Sequence, residues 1–288
     1  MRTVVLLQTH ILTGPVLRFF EDLRLGGDRY DARVLMHLPP QKPKPAGLER
    51  LPHHFVTTPE IRDPSYRAKV DGENWSVWRG GHTDLIGLHF FRTHPEYDRY
   101  WFVEYDVRFS GCWADFFAHF EMSQADFLST TIRRSSSHPE WMHWPTLRVP
   151  DQIPSLGAAD RLCSFIPIVR VTRQALQAID RAYREGWGGH CEATWPTIVH
   201  RAGLKVEDLG GDGEFVPPEN RNRFYTNTPR HEDHAPGSMV FRPARVSAGS
   251  QPNLLWHPVK PLSNKLREDA RHAWLITRRL ASGHGVEL

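Results

Sequence analysis

The sequence is poor in cysteine. It has three cysteines among 288 residues, at positions 112, 163 and 191, and no two of them are spaced as Cys-x-x-Cys. An odd number without paired spacing argues against a disulfide framework and against a structural zinc site. Reduced thiols in a cytoplasmic protein are the simplest interpretation.

Long hydrophobic runs are also lacking. The apolar run Thr3–Leu7 near the N-terminus is too short for a signal-peptide core or a membrane span, and it favours a first β-strand. The sequence also has no large excess of positive or negative charge, because its formal net charge is only +3. This balance gives no reason to expect nucleic-acid binding, and it is compatible with a locally basic pocket for a phosphorylated ligand.

The remaining composition is that of an ordinary globular enzyme. Hydrophobic residues make up 40% of the chain and charged residues 24%. A chain of this length buries about three quarters of its unfolded surface, so it needs no disulfide or metal for stability. No internal repeat and no linker divides the sequence, and we predict a single domain over residues 1–288.

A strand–helix–strand pattern opens the chain. Residues 3–8 are predicted as a buried strand, residues 14–25 as a helix, and residues 32–38 as a second strand. This pattern predicts an α/β fold with a central, mostly parallel sheet flanked by helices. Because ligands lie beyond the carboxyl ends of such strands, Gln8, Thr9 and His10 are expected near the site.

Further elements follow with less regular spacing. We predict helices over 83–97, from the cap Thr172 to Gly186, and over 264–281, and strands over 100–103 and 125–130. The segments 131–157 and 210–237 lack periodicity and are predicted as two long functional loops.

The first candidate for chemistry is Glu104-Tyr105-Asp106, at the end of an apolar strand. Hard divalent cations prefer oxygen ligands, and a cation held by these two carboxylates can bridge the phosphates of a nucleotide-sugar. The competing interpretation is an acidic strand end on the surface.

The second candidate is Gly188-Gly189-His190-Cys191-Glu192. Pro196 is typical of the first residue of a helix, which predicts that Glu192 lies on the preceding loop. A carboxylate there can act as general base towards an acceptor hydroxyl. Alternatively, Glu192 only interacts with the dipole of that helix.

The third candidate is Trp256-His257-Pro258-Val259-Lys260. A neutral imidazole can bind a metal, and a neighbouring lysine can hold a phosphate. An ordinary junction between a strand and a loop is the alternative.

The two long loops carry many stacking faces and hydrogen-bond donors. These are Arg133, Arg134, Trp141, His143 and Trp144 in the first loop, and Asn220 to Arg223 with Tyr225 in the second. Solvated loops with buried aromatic anchors are the alternative for most of these residues.

Taken in order, these motifs resemble those of the GT-A glycosyltransferase superfamily. The segments Trp101–Gly111, Gly189–Ala193 and Trp256–Lys260 further resemble a subgroup of glycosyltransferase-like proteins, and the similarity runs from the first strand to about Lys260. The resemblance implies a Rossmann-like GT-A domain, with residues 1–130 as the nucleotide-sugar-binding half, 131–263 as the acceptor and catalytic half, and 264–288 as a C-terminal helix.

The resemblance also implies roles for single residues. Asp106, Glu104 and His257 would bind Mn²⁺ or Mg²⁺, and Glu192 would be the catalytic residue. The resemblance places Gln8, Thr9 and His10 near the nucleotide, and we add Tyr105 and Lys260 as predicted nucleotide-sugar contacts. From the loops and the glycine-rich segment, the predicted acceptor contacts are Trp141, His143, Trp144, Trp187, His190 and Arg223. Glu104 departs from the family pattern, which has aspartate at this position.

We therefore expect a metal-dependent, inverting glycosyltransferase that moves a sugar from a nucleoside-diphosphate-sugar to a hydroxyl of a glycan or surface polysaccharide. A metal-dependent nucleotidyltransferase or phosphoester hydrolase, and a non-catalytic carbohydrate-binding protein, are the alternatives. The C-terminal helix carries Lys265, Arg267, Arg271, Arg278 and Arg279. A solvated helix face is favoured for these cations, with peripheral contact to an anionic membrane as the alternative.

Overall fold

The structure, a computed structural model, describes residues 1–72, 75–78, 80–227 and 237–281. Several side chains of the last helix lie outside this description, among them those of Arg271, Arg278 and Arg279, so the choice between a solvated helix face and membrane contact falls partly outside the described residues. Residues 228–236 of the second predicted loop and residues 282–288 of the predicted C-terminal segment also lie outside the described residues.

The described part of the chain contains nine strands and eight α-helices. The strands are β1 Thr3–Thr9, β2 Asp31–Leu38, β3 His53–Thr57, β4 Arg99–Glu104, β5 Arg108–Phe109, β6 Phe127–Arg134, β7 Leu162–Thr172, β8 Val206–Asp208 and β9 Leu255–Trp256. The helices are α1 Gly14–Arg24, α2 Thr58–Ile61, α3 Arg67–Val70, α4 Asp84–Thr93, α5 Trp113–His119, α6 Arg173–Arg184, α7 Cys191–Arg201 and α8 Leu262–Ala281.

Seven of these strands form one sheet, in the order β3-β2-β1-β4-β7-β6-β8. Strands β1 to β4 are parallel to one another, and β7 is antiparallel to both of its neighbours. β6 and β8 are parallel. The predicted α/β fold with a mostly parallel sheet flanked by helices is confirmed.

The sheet has hydrophobic cores on both faces because its strands alternate side chains between them. Val4 and Leu6 of β1 point to one face, where they join buried residues of α4, α6 and α7. Val5 and Leu7 point to the other face, where they join residues of α1 and α5. Gln8 and Glu104 continue the first set, so they lie on the face that α7 covers.

The order of the strands creates a crevice beside β1. The chain passes from β1 to β2 and β3 on one side, and then returns to place β4 on the other side of β1. Ligands of open α/β sheets bind at such a reversal, beyond the carboxyl ends of the two strands that flank it. Here these ends are Thr9 of β1 and Glu104 of β4.

Several predicted boundaries need correction. The helix predicted over 83–97 ends at Thr93, because the chain turns at His94 to enter β4. The strand predicted over 125–130 extends to Arg134, so Arg133 and Arg134 belong to β6 and not to the first loop. Strands β3, β7 and β8 were not predicted, and β7 is the longest strand described.

No helix in the described part of the chain is both long enough and apolar enough to cross a membrane.

Candidate functional site

The end of β4 is held against β1 by its main chain. Gln8 and Glu104 are direct partners in the parallel ladder, and the Tyr105 amide donates to the Gln8 carbonyl at 3.0 Å. The Val107 amide then donates to the Glu104 carbonyl at 3.0 Å, which closes a tight turn. This turn places Asp106 just beyond the sheet, next to the crevice.

A short ribbon brings His257 to the same place. β5 pairs with β9 in antiparallel fashion, with Arg108 opposite Trp256. The Val259 amide donates to the Asp106 carbonyl at 2.7 Å. Residues about 150 positions apart in the chain are therefore joined by main-chain hydrogen bonds next to Asp106.

Three side chains converge at this point. His257 Nε2 lies 3.6 Å from Glu104 Oε2 and 3.6 Å from Asp106 Oδ1. All three possible ligand atoms lie within 4.8 Å of one another. Lys260 adds a cation, with its Nζ 3.5 Å from Asp106 Oδ2.

The surroundings of these groups fit a divalent cation. His257 Nδ1 lies 2.8 Å from the Val240 carbonyl, which can only accept, so Nδ1 carries the proton and a neutral ring turns the lone pair of Nε2 towards the two carboxylates. Asp106 Oδ1 is buried and has no hydrogen-bond partner. Two carboxylate oxygens and one imidazole nitrogen form a donor set that suits Mn²⁺.

The pKa of His257 reflects the same neighbours. Burial lowers this pKa, but the charges of Asp106 and Glu104 oppose burial and raise it above its usual value overall. A proton and a metal ion therefore compete for Nε2, as expected of a ligand histidine.

Glu192 lies close enough to this centre to interact electrostatically with Glu104 and His257. It lies in the first turn of α7, and its Oε1 accepts a hydrogen bond from the Ile166 amide at 3.4 Å. Burial raises the pKa of Glu192 to about 8, and the nearby charges of Glu104 and His257 act on it in opposite directions. The preceding residue, Phe165, packs its ring edge-on against His257 at 5.2 Å between centroids.

One short stretch of β7 therefore contacts both Glu192 and His257. Glu192 and His257 also interact electrostatically, although no hydrogen bond or ion pair directly joins Glu192 to Asp106 or His257 among the described residues.

The predicted loop position of Glu192 is wrong. α7 begins at Cys191, with His190 as its N-cap, and Pro196 lies inside the helix. His190 Nδ1 accepts the Glu192 amide at 3.3 Å, which takes the place of the usual serine or aspartate cap. Pro196 has no amide hydrogen, so the helix loses the one hydrogen bond that residue 196 would donate to the Glu192 carbonyl. Tertiary packing supports the rest of the helix.

Close approaches of the main chain fix the segment before Glu192. A Cβ on Gly188 would lie 2.2 Å from the Ala68 carbonyl oxygen. Gly189 has φ +115°, and a Cβ there would lie 2.2 Å from the Thr146 carbonyl oxygen. Both positions therefore require glycine.

A buried ion pair supports the same segment. Lys69 Nζ lies 3.1 Å from Asp84 Oδ2, and neither side chain is exposed. The ammonium group also donates to the Gly189 carbonyl at 2.6 Å and to the Gly81 carbonyl at 3.2 Å. Lys69 was missed in the sequence analysis, since nothing in the sequence around it indicates that it is buried.

An aromatic group borders Glu192 on its outer side. The rings of His143 and His190 are stacked, with 3.9 Å between centroids and 13° between planes. Trp141 stands edge-on to His143 and to Trp144. Trp144 itself is buried and donates its Nε1 hydrogen to the His138 carbonyl at 2.8 Å, so it anchors this loop.

The predicted nucleotide contacts lie at the carboxyl end of β1. The His10 ring is edge-on to Tyr105 at 5.1 Å and to Trp78 at 5.2 Å. The Thr9 hydroxyl donates to the Ile11 carbonyl at 2.7 Å and accepts the Ile11 amide at 3.1 Å, so it serves this turn and not a ligand. Trp78, half exposed beside His10, was missed because the sequence around it has no periodicity.

Two predicted acceptor residues lie elsewhere. Trp187 is only 2% exposed and packs in the hydrophobic core with α6 and α7, so its predicted contact with an acceptor is wrong. Arg223 is exposed, with its guanidinium over the Phe224 ring. No described contact connects Arg223 to the crevice.

Comparisons with known proteins find likeness among solved structures only. No protein-family model matches the chain, and no curated protein matches it. The inositol-1-phosphate CTP transferase from T. maritima aligns at 11% identity with a TM-score of 0.36, over 72% of this chain and 84% of that one. A protein described as a glucose-1-phosphate thymidylyltransferase from Bacillus anthracis aligns at 11% identity with a TM-score of 0.38, over 73% of this chain and 87% of that one.

Both of these proteins are nucleotidyltransferases by their descriptions. At such identities and TM-scores the likeness carries no conclusion about the chemistry of the present chain, which depends on the geometry of its own crevice.

Proposed function

We propose that the protein is a metal-dependent glycosyltransferase that uses a nucleoside-diphosphate-sugar as donor. The observation that carries the proposal is the cluster of Glu104, Asp106 and His257, with its orphaned buried oxygen, at the point where the strand order reverses. A divalent cation there, Mn²⁺ or Mg²⁺, would neutralise charge on the departing diphosphate. Lys260 would add a second positive charge for the phosphates.

Glu192 is the proposed general base. Its side chain is 17% exposed, and its raised pKa makes the ionised carboxylate a stronger proton acceptor than an ordinary glutamate. In an inverting transfer, the acceptor oxygen forms the bond to the anomeric carbon while the bond from that carbon to the diphosphate oxygen breaks. The acceptor proton passes to Glu192, and the nucleoside diphosphate leaves with the electron pair.

The acceptor is proposed to lie over the outer side of Glu192. His143 and Trp141 present aromatic faces there, and a sugar ring packs its C–H bonds against such faces. On the donor side, His10, Tyr105 and Trp78 border the end of β1 and are proposed to contact the nucleotide. A glycan hydroxyl is therefore the proposed acceptor group.

Product analysis tests this proposal. The purified protein is incubated with Mn²⁺ and a panel of nucleoside-diphosphate-sugars, with and without glycan acceptors, and the released nucleotide is identified. Glycosyl transfer releases a nucleoside diphosphate. Release of pyrophosphate from a nucleoside triphosphate and a sugar 1-phosphate would show nucleotidyl transfer instead, and sugar binding without either product would show a non-catalytic carbohydrate-binding protein.

The variant Glu192→Gln tests the base separately. Its side chain keeps the shape and loses the proton acceptor, so we expect turnover to fall by about 10²- to 10⁴-fold. Binding of Mn²⁺ and nucleoside diphosphate should stay within about twofold of the wild type. Full turnover by this variant would rule out Glu192 as the base.

A further inference from the structure

A second group of metal-binding side chains lies beside the crevice. His143, His190 and Glu192 each offer one ligand atom, and these atoms lie within 4.8 Å of one another. The group shares no residue with Glu104, Asp106 and His257. We propose that it is a separate site for a transition-metal cation such as Zn²⁺, and that the bound cation withdraws Glu192 from proton transfer.

The contact between His190 and Glu192 is the first argument. His190 Nδ1 accepts the Glu192 amide, so this nitrogen carries no proton. The same Nδ1 lies 3.7 Å from Glu192 Oε2, so its lone pair and the carboxyl group are close enough to share a proton or a cation. A metal ion bound between them would replace that proton.

Gly81 packs closely against the Cδ2 side of the His190 ring, because a Cβ on Gly81 would lie 2.3 Å from Cδ2 and 2.5 Å from Nε2. The Cys191 amide donates to the Gly81 carbonyl at 3.0 Å and holds this contact in place. Nδ1 is the ring nitrogen that lies near Glu192 Oε2. A cation bound to Nδ1 would take the lone pair that now accepts the Glu192 amide.

His143 supplies the third ligand. Its ring is stacked on His190, so it must turn about its Cβ–Cγ bond to direct a nitrogen at an ion held by the other two groups. The described residues provide no hydrogen bond to either ring nitrogen of His143, so this rotation breaks none. His143 precedes the short 3₁₀ helix Trp144–Thr146 in the first loop, where such a change disturbs no strand or long helix.

The donor set decides which cations are preferred. Burial lowers the pKa of His143 and of His190, the latter to about 3, so both rings are neutral at physiological pH and available as ligands. Two imidazole nitrogens and one carboxylate favour Zn²⁺, Co²⁺ or Ni²⁺ over Mg²⁺ and Ca²⁺. Three protein ligands leave a coordination position open.

Occupancy of this site has a consequence for the proposed function, on which this part of the inference rests. A carboxylate that coordinates a cation no longer accepts a proton from an acceptor. Zn²⁺ is therefore expected to inhibit transfer at a fixed, saturating Mn²⁺ concentration. The side chains of His190 and Glu192 are 15% and 17% exposed, so an ion can reach them from solvent.

Direct metal binding is the test, because it does not depend on activity. Zn²⁺ binding is measured by calorimetry and Co²⁺ binding by its visible absorption, in the wild type, His143→Gln, Asp106→Asn and His200→Gln. His200 is a partly buried histidine near the far end of α7 and serves as the matched control. Circular dichroism and thermal melting check that each variant is folded.

We expect His143→Gln to weaken one Zn²⁺ site by on the order of tenfold or more and to change the Co²⁺ spectrum. His200→Gln should match the wild type, and Asp106→Asn should keep this site while it loses the other. Equal Zn²⁺ stoichiometry and affinity in His143→Gln and the wild type would overturn the inference. Whether Asp106→Asn loses or keeps Mn²⁺ binding tests the proposed function and does not test the Zn²⁺ site.

Discussion

At the scale of single residues, Asp106 is the side chain on which the proposed chemistry depends. Its Oδ1 is buried and accepts no hydrogen bond, with His257 Nε2 3.6 Å away, whereas its Oδ2 lies near Lys260 and its main-chain carbonyl accepts the Val259 amide. A buried carboxylate oxygen that accepts no hydrogen bond is costly, and a cation would offset that cost. The residue therefore combines a structural role for its main chain with a free ligand atom.

Asp106→Asn is predicted to remove metal-linked stabilisation. In the wild type, Mn²⁺ together with a nucleoside diphosphate at about 100 times the dissociation constant should add about 2.7 kcal/mol to the free energy of unfolding and raise Tm by several degrees. The variant should show little or no rise, because asparagine keeps the shape and loses the charge. Asp28→Asn, an exposed position in the turn after α1, is the control and should respond as the wild type does. An equal rise in Asp106→Asn would place the metal elsewhere.

Some residues of the site were within reach of sequence reasoning and others were not. Glu104 and Asp106 directly follow a strand that hydrophobic pattern alone predicts. Trp187 was assigned to the acceptor because tryptophan suits sugar binding, yet the same large apolar ring suits the core, and only the packing of α6 and α7 decides between the two.

At the scale of elements, the start of α7 is where the main chain sets the chemistry. Gly188 and Gly189 allow two neighbouring segments to approach within contact distance, and Lys69 ties the Gly189 carbonyl to Asp84. The sequence suggested a later start because Pro196 is usual in a first helical turn. The cap from His190 and the buried face of α7 overrode that local preference.

Gly189→Ala should destabilise the protein much more than Gly203→Ala. Both glycines have positive φ, +115° and +72°, so both substitutions strain the main chain by about 1–2 kcal/mol. At Gly203 an added Cβ meets nothing within 4 Å, whereas at Gly189 it meets the Thr146 carbonyl oxygen at 2.2 Å. We expect about 3 kcal/mol or more at Gly189. Urea unfolding measures both, and equal losses would show that the approach to Thr146 is not maintained in solution.

Strand β7 could not be predicted from the hydrophobic pattern of the sequence. It contains Pro167 and the charged residue Arg170, and both are unusual in a central strand. Arg170 is buried because its guanidinium donates to the main-chain carbonyls of Phe120, Ser123 and Ala125, and those partners come from a distant part of the sequence. The hydrogen bonds that offset the burial of the Arg170 charge can be identified only from the three-dimensional structure.

At the scale of the whole molecule, the early βαβ unit could be predicted and the closure of the site could not. β1, α1 and β2 follow from hydrophobic spacing, and the parallel sheet follows from them. His257 reaches Asp106 through β5 and β9, which are two residues long each, and elements so short have no period to detect.

The buried residues His37 and His54 should make the free energy of unfolding depend on pH. Burial lowers the pKa of His37 and of His54 to about 4, below the value of about 6.5 in the unfolded chain. Their contribution to stability is therefore fully present above pH 6.5 and is lost as the pH falls through 4, because the unfolded state binds the protons first. By pH 5 we expect the free energy of unfolding to fall by about 2 kcal/mol from each residue, or about 4 kcal/mol from both together.

Urea unfolding at a series of pH values between 7.5 and 4.5 measures this loss. The double variant His37→Gln/His54→Gln should show a flatter pH dependence than the wild type over the same range. If the free energy of unfolding depends on pH in the same way in both proteins, titratable groups other than His37 and His54 cause the loss of stability at low pH.

The late position of His257 has a consequence for synthesis. The seven strands of the sheet are complete by residue 208, but the third ligand of the proposed cation site comes from the segment that follows β9. During synthesis, all residues that form the sheet are therefore translated before His257, which supplies this imidazole. Under the proposed function, activity therefore requires translation to continue past His257, and a chain truncated between residues 208 and 257 would contain every strand of the sheet but not the complete cation site.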